Sequence, residues 1–139
     1  MAKIEWRQSL SVNNDELDNQ HKKLFSFYNR LHESLLDDSI EETIQTKLAT
    51  LNDLAEYVSY HFKAEELFMQ EMSYTDINEH RLLHQEFTTR ITSLLEDVEN
   101  NRVILSTSLI KFLRNWIVEH IAIEDQKYTT FCNYSAYDK

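Results

Sequence analysis

The chain predicts an all-α fold, an antiparallel up-down-up-down four-helix bundle with an N-terminal arm. Three observations carry this. Glycine and proline are both absent from the 139 residues, where average usage would supply roughly 7% and 5%. A sheet with many tight turns is hard to build without them, whereas a few long helices need only Asn at left-handed caps. Apolar residues recur at helical spacing through four long segments. The connections between those segments are short, which favours antiparallel neighbours. One domain spanning residues 1–139 is expected, since the length suits a single core.

Residues 1–13 form the arm, with Ile4, Trp6, Leu10 and Val12 as its apolar positions. Their alternation is too short for a strand, and Trp6 is expected to pack on the bundle. The first helix, 14–37, is capped by Asn14 or Asp15. It carries the stripe Leu17, Leu24, Phe25, Tyr28, Leu31 and Leu35, with His21 standing in for an apolar residue. After Asp37-Asp38-Ser39 breaks the pattern, Ser39-Ile40-Glu41-Glu42 reads as a capping box. It opens the second helix, 40–72, whose stripe is Ile44, Leu48, Leu51, Ala55, Val58, Phe62, Glu65, Met69 and Met72.

A second break at Ser73-Tyr74-Thr75 precedes Asp76, which with Glu79 opens the third helix, 76–99. Its stripe is Ile77, His80, Leu83/His84, Phe87, Ile91, Leu94 and Val98, and Asn100-Asn101 closes it. The fourth helix, 106–132, starts near Ser106 to Ser108. Leu109, Phe112, Leu113, Trp116, Ile117, His120, Ile121, Tyr128 and Phe131 face inward.

Charge and composition exclude several functions. The net charge of -10 opposes binding to nucleic acid or an anionic membrane, both of which need a basic surface. Most acidic residues fall between apolar positions, as on solvated helix faces. With Cys132 the only cysteine, no intrachain disulfide forms. The N-terminal residues Met1 to Arg7 lack the apolar core of a secretion signal, and no run approaches the ~20 apolar residues of a membrane span. A cytoplasmic protein is expected.

Five of the six histidines fall at one end of the predicted bundle. In antiparallel topology the start of the first helix, the end of the second, the start of the third and the end of the fourth share that end. His21, His61 with Glu65, His80 with His84, and His120 with Asp125 therefore lie at similar height. His61/Glu65 and His80/His84 are each i,i+4 pairs, about 6 Å apart on one helix face. Imidazole and carboxylate together suit iron, zinc or manganese. Seven such groups exceed the four ligands of tetrahedral zinc, and two ions bridged by Glu65 and Asp125 would use them all.

His120 and Asp125, five apart, would sit about 140° from each other on a regular helix. Either Asp125 reaches sideways, or the fourth helix carries a π-bulge. His32, about 16 Å along the axis from His21, is too far to join the cluster. Glu66 and Glu124 adjoin candidate ligands but fall off the inward face and are expected to be solvated.

At these residues the chain resembles the hemerythrin family, specifically the bacterial single-domain kind. The matching pieces are Asp18-Asn19-Gln20-His21-Lys22-Lys23-Leu24-Phe25, His61-Phe62-Lys63-Ala64-Glu65-Glu66, His80-Arg81-Leu82-Leu83-His84 and Trp116 through Asp125. Trp6 and Tyr128 also resemble family positions. Departures lie in loops: Asn13 and Ser73-Tyr74-Thr75 stand where relatives often have Gly or Gly-Tyr-Pro.

The resemblance implies two iron ions bridged by Glu65, Asp125 and an oxo or hydroxo group, with three histidines on one iron and two on the other. Spacing does not settle how the helix-two and helix-four histidines are shared out. Dioxygen is the implied partner, bound reversibly for storage, transport or delivery. Leu24, Phe62, Trp116, Ile117 and Ile121 lie within a turn of ligands and are candidates to line its pocket, and Tyr128 is a candidate hydrogen-bond partner for a ligand. Relative to the four Glu and two His of ferritin-like sites, five His and two carboxylates stabilise high-valent iron less, which disfavours O–O cleavage. No enzymatic activity is expected. The alternatives are a di-iron redox enzyme acting on O2, peroxide or nitric oxide, and an oxygen or redox sensor module.

Overall fold

A computed structural model of the chain describes residues 3–36, 40–102 and 104–137. The described residues form helices and no strand. They are α1 (Asp15–Leu36), α2 (Ile40–Glu71), α3 (Ile77–Glu99), α4 (Thr107–Glu119) and α5 (Asp125–Tyr137). Between α4 and α5, residues His120–Glu124 form a π turn, so that α4, the π turn and α5 run on as the fourth rod of the bundle. That rod continues to Tyr137, beyond the boundary near 132 expected from periodicity. The arm contributes one 3-10 turn, Gln8–Leu10.

Helix ends follow local chemistry. Asn14 caps α1 by accepting from the Leu17 N–H at 3.1 Å, and Ser106 caps α4 by accepting from Leu109. The third helix opens where Asp76 and Glu79 signal it, with Asp76 at the N-cap of α3 and Glu79 in the first turn, but Asp76 makes no side-chain capping hydrogen bond. Its φ of -101° and ψ of 25° are away from the extended conformation an N-cap side chain uses. The proposed capping box at Ser39 and the break at Asp37-Asp38-Ser39 lie outside the described residues.

The C-termini of α2 and α3 both end in a left-handed residue without glycine. Ser73 (φ 57°) and Asn101 (φ 58°) hold that position. Tyr74 N–H reaches back to Met69 C=O and Ser73 N–H to Gln70 C=O, while Arg102 and Asn101 bond Asp97 and Val98 in the same way. This is the Schellman pattern. Asn tolerates positive φ; Ser does so at a cost of about 1–2 kcal/mol. Ser73→Gly should therefore raise stability by about 0.5–1 kcal/mol net of the extra unfolded-state entropy of glycine, read as a higher urea midpoint at constant slope.

Packing divides into two apolar clusters. The larger contains Leu24, Phe25, Tyr28, Leu31, Leu51, Leu54, Val58, Phe62, Phe87, Ile91, Ile110, Leu113, Ile117 and Ile121, together with Ile4 of the arm and Leu105. Leu54 and Ile110, absent from the sequence stripes, are fully buried, so the buried faces of α2 and α4 are wider than a single stripe. The smaller cluster, Val12, Leu17, Met69, Tyr74 and Tyr128, closes one end of the bundle.

The arm is tied down at several points: Asn29 exchanges hydrogen bonds with the Ile4 backbone, Asp18 accepts from the Val12 N–H and the Ser11 hydroxyl, and Gln126 donates to the Leu10 and Ser11 carbonyls. Trp6 packs against Phe25. No helix among the described residues is long and apolar enough to cross a membrane.

Candidate metal centre

Between the two clusters the interior turns polar. His21, His61, Glu65, His80, His84, His120 and Asp125 are all buried there, each 5% exposed or less. α1 supplies His21, α2 supplies His61 and Glu65, α3 supplies His80 and His84, and the fourth rod supplies His120 and Asp125. Burying seven titratable groups together is costly unless their charges and lone pairs are matched.

The π turn brings the last pair onto one face. Asp125 N–H bonds His120 C=O five residues back, which widens the turn, and Asp125 Oδ1 lies 3.1 Å from His120 Nε2. A regular α-helix would have turned the carboxylate away.

The groups resolve into two sets that share both carboxylates. His80, His84 and His120 gather with Glu65 and Asp125, while His21 and His61 gather with the same two carboxylates; within each set the donor atoms lie within 4.8 Å of one another. Glu65 Oε1 is 2.9 Å from His84 Nε2 and 3.2 Å from His80 Nε2. Its Oε2 is 3.2 Å from His21 Nε2 and 3.3 Å from His61 Nε2. Asp125 repeats the division, with Oδ2 toward His21 and Oδ1 toward His80 and His120. Each carboxylate thus turns one oxygen to each set, and the helix-two and helix-four histidines fall on opposite sides.

Outer hydrogen bonds set the tautomers of two rings. His61 Nδ1–H donates to Gln20 Oε1 and His84 Nδ1–H to Glu66 Oε2, both at 2.8 Å. With the proton on Nδ1, the neutral ring presents a bare lone pair at Nε2. Burial depresses the His61 pKa and keeps that ring neutral. Its Nε2 lone pair therefore faces a carboxylate oxygen in a dry interior, a repulsive contact that a cation between them would make attractive. His120 Nε2 is also 3.0 Å from both His84 Nε2 and His80 Nε2, and neither Asp125 oxygen has a hydrogen-bond partner. Converging lone pairs with few protons to share fit metal ions.

Without metal, protons do part of this work. For His21, burial opposes charge, but Asp125 and Glu65 outweigh it and push the pKa up to about 9. His120 rises likewise to about 10, against burial, through Asp125 and then Glu65. For Glu65 and Asp125, burial opposes ionisation, yet the surrounding histidines hold both carboxyls below their ordinary values. Tyr128 O–H donates to Glu65 Oε2 at 3.0 Å; burial lifts its pKa well above the ordinary phenol value, so it remains a donor.

Residues 12–132 match the family model described as "Hemerythrin HHE cation binding domain". The chain belongs to the hemerythrin family. It is 33% identical to a bacteriohemerythrin of Campylobacter jejuni over 118 residues, 85% of this chain and 86% of that one. It is 31% identical to a hemerythrin-like protein of Naegleria gruberi over 125 residues, 88% of each. A wild-type hemerythrin crystal structure superposes with a TM-score of 0.85 at 27% identity, covering 93% of this chain and 97% of that one. The helical-bundle fold read from the sequence is the fold of this family.

The remaining expected residues are placed as follows. Leu24, Phe62, Trp116, Ile117 and Ile121 line one small cavity beside His61 and His120, with Val58 and Phe87 completing its wall. It offers about 10 Å³ to the centre of a water-sized guest, near the lower limit for holding one small molecule. Phe62 stacks on His84 (3.8 Å, 2°) and Trp116 on His120 (4.4 Å, 10°). His32 is buried away from the cluster, beside Tyr28.

Glu66 corrects the expectation of a solvated side chain: its carboxylate is only 28% exposed and holds His84. It projects between α2 and α3, where a neighbouring helix can be reached from a position flanking the inward stripe. Glu124, equally 28% exposed, is likewise only partly solvated and pairs with Lys127 at 3.1 Å. Gln20 carried no chemical signal of its own, and only its place beside His21 in the resembling segment marked it.

Proposed function

We propose that the protein binds dioxygen reversibly at two iron ions, held by His80, His84 and His120 on one side, by His21 and His61 on the other, and by Glu65 and Asp125 between them. The observation that supports this reading is the apolar cavity lined by one ring of each set, His61 and His120. Iron held by these residues would supply the electrons that reversible dioxygen binding requires.

The chain's own residues do the rest. Leu24, Val58, Phe62, Ile117 and Ile121 exclude water, which would otherwise displace the guest and solvate charge. Tyr128 holds Glu65 in place through its hydroxyl. Phe62 and Trp116 fix the planes of His84 and His120. The cavity's lining residues carry no carboxylic acid, hydroxyl or thiol, their polar groups being the His61 and His120 rings and the Trp116 indole N–H, so none of those acids stands ready to protonate a bound guest. That favours carriage over reduction of O2, peroxide or nitric oxide, the alternatives left by the sequence.

The test is a gas cycle on protein loaded with ferrous iron without oxygen. A visible band that appears on admitting O2 and vanishes on purging is the expected result. Prompt irreversible conversion to ferric protein with no lasting adduct would overturn carriage in favour of oxidase or redox-sensor chemistry. Widening the cavity offers a graded check. Ile117→Ala should cost about 2–5 kcal/mol of stability and, by admitting water, shorten the lifetime of the oxygenated form. An unchanged lifetime would count against the water-excluding role of the cavity.

A further inference from the structure

The two histidine sets differ in a feature beyond their number. Each has one ring whose Nδ1–H is held from outside by a side chain at 2.8 Å: His61 by the neutral amide of Gln20, and His84 by the carboxylate of Glu66. An anionic acceptor draws the Nδ1 proton toward itself and makes the opposite nitrogen a stronger donor. A neutral amide does this less.

His84 is also the more tightly positioned ring. Phe62 lies parallel to it at 3.8 Å, so ring rotation is blocked from the face while Glu66 fixes it in the plane. Glu66 is in turn near Arg81, with Nε 3.4 Å from Oε1. Both lie at a surface cleft between α2 and α3 that reaches His84 from its outer side.

We propose that Glu66 is a positioning residue whose negative charge strengthens His84 as a ligand, so that the three-histidine set takes up the first metal ion well ahead of the two-histidine set. The inference rests on the two-ion reading above. It assigns part of the difference between the sets to one charge outside the ligand shell, separately from the count of histidines.

The experiment is an anaerobic titration of the metal-free protein with Co²⁺ alone, following its visible ligand-field bands. Wild type should show two resolved steps, and His61→Ala should remove the second and so identify it. Glu66→Gln keeps a hydrogen-bond acceptor of the same shape and removes only the charge. It should weaken the first step by about 10- to 100-fold and leave the second within about twofold.

Gln20→Glu, the reciprocal change, should strengthen the second step and narrow the gap. In the metal-free protein, ¹⁵N NMR should find the His84 proton on Nδ1 in wild type and in Glu66→Gln, separating loss of charge from loss of position. A first step unchanged in Glu66→Gln, or both steps weakened alike, would overturn the proposal. Should Glu66→Gln fail to fold, Gln20→Glu decides, since an unchanged second step there overturns it equally. A wild type that takes fewer than two ions would instead bring down the two-ion reading, and this inference with it.

Discussion

Glu65→Ala should leave the protein unable to hold either metal ion, whereas His61→Ala should still hold one. The reason is the division of the carboxylate: Oε1 faces His80 and His84, and Oε2 faces His21 and His61. Removing it takes a donor and a negative charge from both sets in one step. Asp125 alone then offsets the charge of two buried cations. Removing the His61 ring takes a donor from one set only.

The measurement is elemental analysis of protein loaded anaerobically with ferrous iron and freed of excess. About two ions per chain are expected in wild type, about one in His61→Ala and close to none in Glu65→Ala. A parallel readout is thermal. A ligand present at about 1,000 times its Kd stabilises the folded state by ~4 kcal/mol, roughly 10 °C or more for a chain of this size. That metal-dependent rise should vanish in Glu65→Ala. Two ions retained by Glu65→Ala would sink the shared-carboxylate arrangement.

Metal loading at neutral pH should expel at least two protons per chain, from His21 and His120, with His80 also shifted upward, against burial, by Asp125 and Glu65. His21 and His120, with pKa values pushed up to about 9 and about 10, carry protons at pH 7 in the metal-free protein, and a coordinated imidazole nitrogen cannot keep its proton. Each such proton makes loading about tenfold less favourable per unit fall in pH, about 1.4 kcal/mol. The combined affinity for both ions should rise at least about 100-fold per pH unit near neutrality and level off above about pH 10. Proton release in weakly buffered solution with an indicator dye gives the count directly, and a count near zero would contradict the charge pairing described here.

The metal-free protein has a matching stability profile. The raised His21 and His120 contribute stability fully present below their ordinary value of 6.5 and lost progressively as pH climbs through about 9 to 10. The depressed Glu65 and Asp125 contribute stability present above their ordinary 4.5 and 3.8 and lost as pH falls through their lowered values. Their overlap lies between about pH 4.5 and 6.5. Bound metal replaces the protons, so loaded protein should keep its melting temperature above pH 9 where the metal-free form does not.

The sequence by itself determined the four long helical rods, the gathering of five histidines and two carboxylates at one end, and the apolar residues beside them. These follow from periodicity: residues at i, i+3, i+4 and i+7 share a face, and antiparallel order converts position along the chain into height in the bundle. It also exposed the misfit between His120 and Asp125, since a spacing of five conflicts with a repeat of 3.6. Only the tertiary structure decided that the helix absorbs the misfit as a π turn. That outcome depends on what the widened turn gains from its neighbours across the bundle.

Which side the helix-two and helix-four histidines take was likewise undecided by spacing, because it depends on which side of each shared carboxylate a ring approaches. Ser73 in the left-handed region and Leu54 and Ile110 in the core were set by loop closure and by the width of the helix interfaces. Glu66 makes the limit plainest. Periodicity places a residue on its own helix, but the partner of a flanking side chain is set by the neighbouring helix. The same carboxylate that would be solvated on an isolated helix holds a histidine once α3 packs beside α2.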